Sequence, residues 1–227
     1  SEYDLANVTV ILTGEGRNAA HFTSVVEQVQ AAYSQTFGRL ITNVHPADVA
    51  GELPGKGSNM RHAGIAAKAY VDSQGWNYDD VIVSAFDIDT WVHPQYLAAL
   101  THRYGTVANP TRCSYQPLAL YHNNIWQSAP LTRVVAYSTT FWLLTDLARA
   151  ERLFTFSSHS MPWRALVDVG FWAPDVVSED SRIFLQCLLR YNGDYRVEPI
   201  YVPVSMSTVY MGKFWRSVRN QYLQVRR

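Results

Sequence analysis

Residues 81–86 (VIVSAF) run directly into Asp87-Ile88-Asp89, and this junction constrains the chain more than any other segment. A continuous apolar stretch of this length predicts a strand buried on both faces, as in sheets that carry helices on both sides. Such sheets gather ligands at the carboxyl ends of their strands, where Asp87 stands. Two carboxylates at i and i+2 leave an extended chain on the same side and can converge on one cation. Magnesium or manganese suits them, because hard cations take oxygen ligands and magnesium is commonly held by one or two carboxylates together with substrate phosphates. A diphosphate substrate is thereby implied. The plain alternative is that two aspartates solvate a strand end, and matches this short arise often by chance.

The rest of the chain alternates strands with helices. Residues 8–12 (VTVIL) predict a buried strand, and 21–33 a helix with Phe22, Val25, Val26, Val29 and Ala32 inward. A second strand is expected over 38–44, a loop rich in Pro and Gly over 46–58, and an alanine-rich helix over 59–73. His93-Pro94 opens a helix with Tyr96, Leu97 and Leu100 on its apolar face. Residues 107–145 mix strand-like pieces, 133–137 among them, with aromatic residues and little periodicity. Ser178 begins a helix, 195–206 reads as an edge strand or a strand and loop because of Pro199 and Pro203, and a last helix runs from 213 to the end. Strands alternating with helices predict an α/β sheet covered on both faces.

The length of 227 residues and 48% hydrophobic content suit one domain with a substantial core. Nineteen Lys and Arg balance nineteen Asp and Glu, so the total gives no sign of nucleic acid or a generally anionic partner. The charge is unevenly placed, since no acid follows Glu198 while Lys213, Arg216, Arg219, Arg226 and Arg227 do. Cys113 and Cys187 are too few and too far apart for a disulfide framework or a four-ligand zinc site, which fits a reducing compartment. No signal-peptide pattern opens the sequence, and no run reaches the roughly 18–20 apolar residues of a membrane helix, so a soluble chain is expected.

Two other uses of paired aspartates can be tested in the sequence. An EF-hand loop from Asp87 needs glycine and glutamate where Val92 and Ala98 stand. A haloacid-dehalogenase-type phosphatase places a small Thr or Val where Trp91 stands, and its motif lies in the first strand of its fold. Gly55-Lys56-Gly57-Ser58-Asn59 is a loop running into a helix, where N–H groups and a lysine can face phosphate; the plain reading is a cap at Ser58. In Ser178-Glu179-Asp180, either Ser178 caps and the acids favour the positive helix end, or one carboxylate takes a proton from an attacking hydroxyl. Trp172 either offers a flat face to a sugar ring or packs in the core. His159, in the polar stretch 157–161, is a candidate for lining an acceptor site, and the other histidines read as structural. Trp215, Val218, Tyr222 and Val225 form a seam flanked by arginines that suits a membrane surface or packing on the domain equally.

Taken in order, GKGSN at 55–59, FDIDT at 86–90, VGFW at 169–172, SED at 178–180 and QVRR at 224–227 resemble the motif series of family-2 glycosyltransferases. No one of them decides the matter; their order and spacing do. The series is most similar to the bacterial membrane branch related to cellulose and hyaluronan synthases, where Q-x-x-R-W precedes membrane helices. The resemblance implies a GT-A fold, a mixed and mostly parallel central sheet flanked by helices, with a donor and metal half over 1–105 and an acceptor half over 106–227. It implies that Asp87 and Asp89 hold magnesium or manganese and the sugar diphosphate, that Asp180 is the catalytic base with Glu179 beside it, that Lys56 and Asn59 belong to the donor site, and that Gln224 and Arg227 border the diphosphate and acceptor. The implied reaction is inverting transfer from a nucleotide sugar, a UDP-sugar first, to a saccharide or lipid-linked acceptor at the cytoplasmic face of a membrane in which the parent protein is embedded. The family begins with a strand and a nucleoside-contacting turn. Residues 8–17 match its second strand instead, with Glu15 and Arg17 where an acidic uridine contact is usual, so the first strand is expected to be missing and an exposed edge to invite association between copies. The competing classes are a phosphatase or nucleotidyltransferase, and a module that binds sugar nucleotides without turnover.

Overall fold

The computed structural model describes residues 3–226, with all their side chains except that of Val225. The chain is α/β and divides into two units interleaved in sequence, one of residues 1–83 and 162–194, the other of 84–161 and 195–227. Each half expected at residue 105 therefore contributes to both units.

In the first unit, strands β1 (Thr9–Glu15) and β2 (Arg39–His45) run parallel, paired from Thr9 with Arg39 to Glu15 with His45. Helix α1 (Ala19–Tyr33) makes the crossover, as parallel neighbours require. Helix α2 (Lys56–Gln74) starts three residues earlier than the alanine pattern suggests and ends at Gly75, in the left-handed region. Helices α5 (Trp163–Asp168) and α6 (Glu179–Arg190) complete the unit. β1 is half-buried along its whole length, not buried as its sequence predicts. It belongs to a two-stranded sheet, in which neither strand is central.

The second sheet has the order β3, β6, β5, β7, β4, for β3 (Ile82–Ala85), β4 (Trp91–Val92), β5 (Cys113–Tyr121), β6 (His159–Pro162) and β7 (Arg196–Met206). β5 and β7 are parallel, whereas β5–β6 and β4–β7 are antiparallel. The expectation of one mostly parallel central sheet is thus corrected to two sheets, the larger of them mixed. β3 is half-buried. β7 lies inside the sheet order instead of at its edge, but the short β4 reaches only Val204 and Ser205. Pro199 falls in the part of β7 that β4 does not pair, where a missing N–H costs nothing on that side.

Helix α3 (Tyr96–Thr106) begins two residues after Pro94, which sits in a preceding turn closed by the Tyr96 N–H on His93 O. Residues 133–137, read as strand-like, lie within helix α4 (Pro130–Leu147). Val134, Val135, Thr139 and Thr140 have low helix propensity, and tertiary packing overrides it: Thr132, Ala136, Leu143 and Leu147 are buried on one face. Helix α7 (Phe214–Val225) ends the described chain. In the core of the second unit the fully buried Tyr96 and the half-buried Ser84 each hydrogen-bond the Ser160 hydroxyl, at 2.8 and 2.6 Å. Burial pushes the Tyr96 phenol well above its usual range.

Glu198 on β7 carries a prediction. Its burial favours the neutral acid, but hydrogen bonds from Arg196 and Arg103 outweigh that and hold the carboxyl below its ordinary value. A depressed carboxyl stabilises the fold above the unfolded value near 4.5, and that contribution is lost as pH falls through the folded value. Glu198→Gln should cost roughly 1 kcal/mol at neutral pH, since both guanidiniums are partly solvated. The gap between its thermal midpoint and that of the parent should close below pH 4.5. A gap that persists in acid would mean that packing, not charge, holds β7 there.

Candidate functional site

The first unit joins two of the segments singled out in the sequence. Lys56 is the first residue of α2, and Asp180 lies in the first turn of α6. The Lys56 ammonium donates to both carboxylate oxygens of Asp180, at 3.1 and 2.9 Å, and both side chains are largely buried. A cation at a helix N-terminus is unfavourable against the helix dipole, and an anion there is favourable. Asp180 offsets the first and satisfies the second.

The glycines of GKGSN have a packing role. A Cβ on Gly57 would lie 2.9 Å from the Ala173 carbonyl oxygen and 3.1 Å from Glu179 Cβ, so α2 and the start of α6 approach too closely for a larger residue. The main-chain N–H of Leu53 donates to Pro174 O at 2.8 Å in the same region. Ser58 is not the cap. Gly55 holds that position, and the buried Ser58 hydroxyl bonds the carbonyls of Leu53 and Gly55, closing the loop onto the helix. Ser178 occupies the cap position of α6 but makes no side-chain capping bond, so the first turn of that helix rests on its acids.

Glu15, the last residue of β1, forms an ion pair with Arg17, and the Asn59 amide donates to Glu15 Oε1 at 3.4 Å. Glu15 and Arg17, with His45, Asp48, Glu52 and Leu53, line a shallow cleft at the carboxyl ends of β1 and β2. His45 bonds Glu52 at 2.7 Å and meets the His62 ring edge-on at 5.2 Å. The sequence reading missed this pair, because the six residues between them are loop and only the fold brings the partners together. A polar His directly after the strand expected over 38–44 was the available signal.

Asp87 and Asp89 belong to the second unit, and they do not lie on an extended chain as the spacing suggests. The Thr90 N–H donates to Asp87 O at 2.9 Å, closing a turn that projects Ile88 into solvent at 98% exposure. The Ser157 hydroxyl bonds the Asp87 carboxylate, and the Ser207 N–H donates to Asp89 Oδ2 at 3.0 Å. The Asn123 amide donates to the Asp89 carbonyl at 3.2 Å and the Ser205 carbonyl at 3.1 Å, tying the turn to the end of β7. A carboxylate has about four acceptor positions, so anchoring bonds of this kind are compatible with a cation. Among the described residues no three or more His, Cys, Asp or Glu side chains gather as a metal site. The carboxylate pair fits a hard cation only as part of a set completed by substrate oxygens.

Two candidates are corrected. Trp172 is 3% exposed and part of the core, so it offers no face to a sugar. The same loop puts Gly170 and Phe171 both at positive φ, which turns Phe171 and Trp172 inward. His159 is not in a polar loop: it is the first residue of β6, fully buried, with Nδ1 on the Phe156 carbonyl at 2.8 Å. Glu179 is buried beside Asp180, Gln224 is exposed on the last turn of α7, and Arg227 lies outside the described residues. Both cysteines are buried thiols outside any disulfide, and among the described residues no helix is long and apolar enough to cross a membrane. The chain matches no protein-family model and no curated protein.

Proposed function

We propose that this protein is an inverting glycosyltransferase of the GT-A, family-2 type, moving a sugar from a nucleotide diphosphate to a hydroxyl acceptor. The observation that supports it most is the bond between Lys56 and Asp180. They come from two short motifs 124 residues apart, each weak alone, that were chosen from the sequence as parts of one motif series. Chance matches have no reason to meet in a largely buried ion pair.

In this reading Asp180 accepts the proton of the attacking hydroxyl, and the hydroxyl oxygen forms its bond to the anomeric carbon as the nucleoside diphosphate leaves from the opposite face. A base must come within hydrogen-bond reach of its proton. Both Asp180 oxygens accept from Lys56 in this structure, so the acceptor hydroxyl has to take a second acceptor position on one of them or displace one of those bonds. Asp87 and Asp89 would hold magnesium or manganese, which neutralises charge on the departing diphosphate. The turn that anchors their carboxylates fixes them before substrate arrives, so little ordering remains to be done on binding. Glu15 and Arg17, with Asn59 bonded to Glu15, would meet the nucleoside at the cleft beyond β1 and β2.

Calorimetric titration of UDP, GDP and their common sugars, with and without manganese, tests the reading. The expected result is metal-dependent binding of a nucleotide sugar that weakens by about tenfold or more in the Asp87→Ala, Asp89→Ala double variant. Binding that ignores both metal and variant would remove the donor site from the turn.

A further inference from the structure

Three serines stand at the start of β6, and each of their hydroxyls bonds a residue between 84 and 96. Ser160 bonds Ser84 and Tyr96 in the core. Ser157 donates to the Asp87 carboxylate. Ser158, fully buried, shares a hydrogen bond of 2.8 Å with the Thr90 hydroxyl and accepts from the Asp87 N–H at the long distance of 3.4 Å, so one hydroxyl binds both ends of the turn at 87–90. Its Oγ also lies 4.0 Å from Met206 Sδ at the end of β7, and the next residue, Ser207, gives its N–H to Asp89. The main chain of the turn is thus held by Ser158, and its carboxylates by neighbours of Ser158 and Met206.

The backbone at Ser158 makes this grip possible. Consecutive side chains of an extended chain point to opposite faces, yet Ser157 and Ser158 both reach the same four-residue turn. Ser158 has a φ of 63°, in the left-handed region, and this breaks the alternation. Glycine adopts that region freely, whereas a residue with a Cβ does so at a cost. Serine therefore stands where glycine would fold more easily, and what it adds is a buried hydroxyl aimed at the turn. Strain of this kind persists only where the surrounding structure over-determines it, and it gathers at binding and catalytic sites.

Resting on the reading that Asp87 and Asp89 take a divalent cation, we propose that Ser158 is the positioning residue for that cation, acting through the turn and not on the metal. The two carboxylates can rotate about their side-chain bonds, but the separation of their α-carbons is set by the path of the main chain from Asp87 to Thr90. That path is closed by the Thr90 N–H on Asp87 O at 2.9 Å, and Ser158 binds the residue at each end of that bond. Without the serine hydroxyl the turn samples other paths, and the fraction that presents both carboxylates falls. The apparent affinity for the cation falls with that fraction.

Ser158→Gly and Ser158→Ala separate the hydroxyl from the strain. Both lose the hydroxyl, but glycine relaxes the backbone and alanine does not, so Ser158→Ala should melt roughly 2–4 °C below Ser158→Gly. Manganese is titrated calorimetrically into the parent and both variants, with and without UDP, and amide hydrogen exchange is followed on the metal-free proteins. Manganese affinity should be about tenfold lower in both variants, to the same extent despite their different melts. The Thr90 amide should exchange about tenfold faster than in the parent, while helix α3 keeps its protection. A serine that serves the fold alone predicts that affinity follows stability, impaired in Ser158→Ala and restored in Ser158→Gly, and that result would overturn the proposal. So would an affinity within about twofold of the parent in both variants. A parent that binds no manganese, with UDP or without it, is a separate outcome: it takes the cation away from the turn and overturns the donor-site reading together with the role of Ser158.

Discussion

Asp180→Asn is expected to lower the rate of sugar transfer by about 100- to 10,000-fold, the usual contribution of a positioned general base, while nucleotide-sugar affinity stays within about twofold. Asparagine keeps the shape and one acceptor oxygen, so the Lys56 ammonium retains a partner and α2 keeps its place against α6. What is removed is the second oxygen and the ability to take a proton. A structural role for Asp180 predicts a different pattern, in which the melting temperature falls and both rate and affinity fall with it. Single-turnover rates and a thermal melt on the same variant separate the two. A variant that transfers sugar at the parent rate would return Ser178-Glu179-Asp180 to the plain start of a helix.

Much of the fold was legible where local and tertiary signals agree. The apolar run before Asp87, the helical spacing in 21–33 and the proline-opened region after His93 all correspond to elements within a few residues of their expected limits. Legibility failed in two physical situations. Residues 133–137 are rich in β-branched side chains, and the helix they join exposes apolar residues on its outer face, which erases the polar half of the pattern from which amphipathic helices are read. The turn at 87–90 depends on partners far along the chain, Ser157 and Ser207, that no window around the aspartates contains. The identities of the candidate residues were therefore readable, but not the conformation that presents them. The histidine at 159 misled for a related reason: its neighbours are serines, which read as loop, yet Ser158 and Ser160 are fully buried and spend their hydroxyls on hydrogen bonds inside the unit.

The helix that carries Lys56 and Asn59 is held by a contact whose energetics can be measured directly. Phe171 is 7% exposed and lies on Gly64 of α2, where an added Cβ would stand 2.6 Å from a ring carbon. Its ring also meets Trp163 edge-on at 6.0 Å, and its φ of 70° is one that non-glycine residues adopt at a cost. Phe171→Ala removes the ring and keeps the backbone strain. It should destabilise the protein by about 3–5 kcal/mol and lower the melting temperature by roughly 6–20 °C for a chain of this size. Gly64→Ala alone sets a gain in helix propensity of about 1 kcal/mol against overpacking of about 1–3 kcal/mol, so it should be neutral to destabilising. In the Phe171→Ala background the clash is gone and the methyl enters the vacated space, so the same substitution should stabilise by about 1 kcal/mol. The sign of Gly64→Ala thus depends on residue 171, with a coupling of at least about 1 kcal/mol, as expected for residues in contact. Additive effects across the four proteins would mean that the ring does not sit on Gly64. The anchoring of α2, and with it the position of Lys56 against Asp180, would then have to come from contacts such as the Gly57 approach to Ala173 and the Arg61 hydrogen bond to the Gly170 carbonyl.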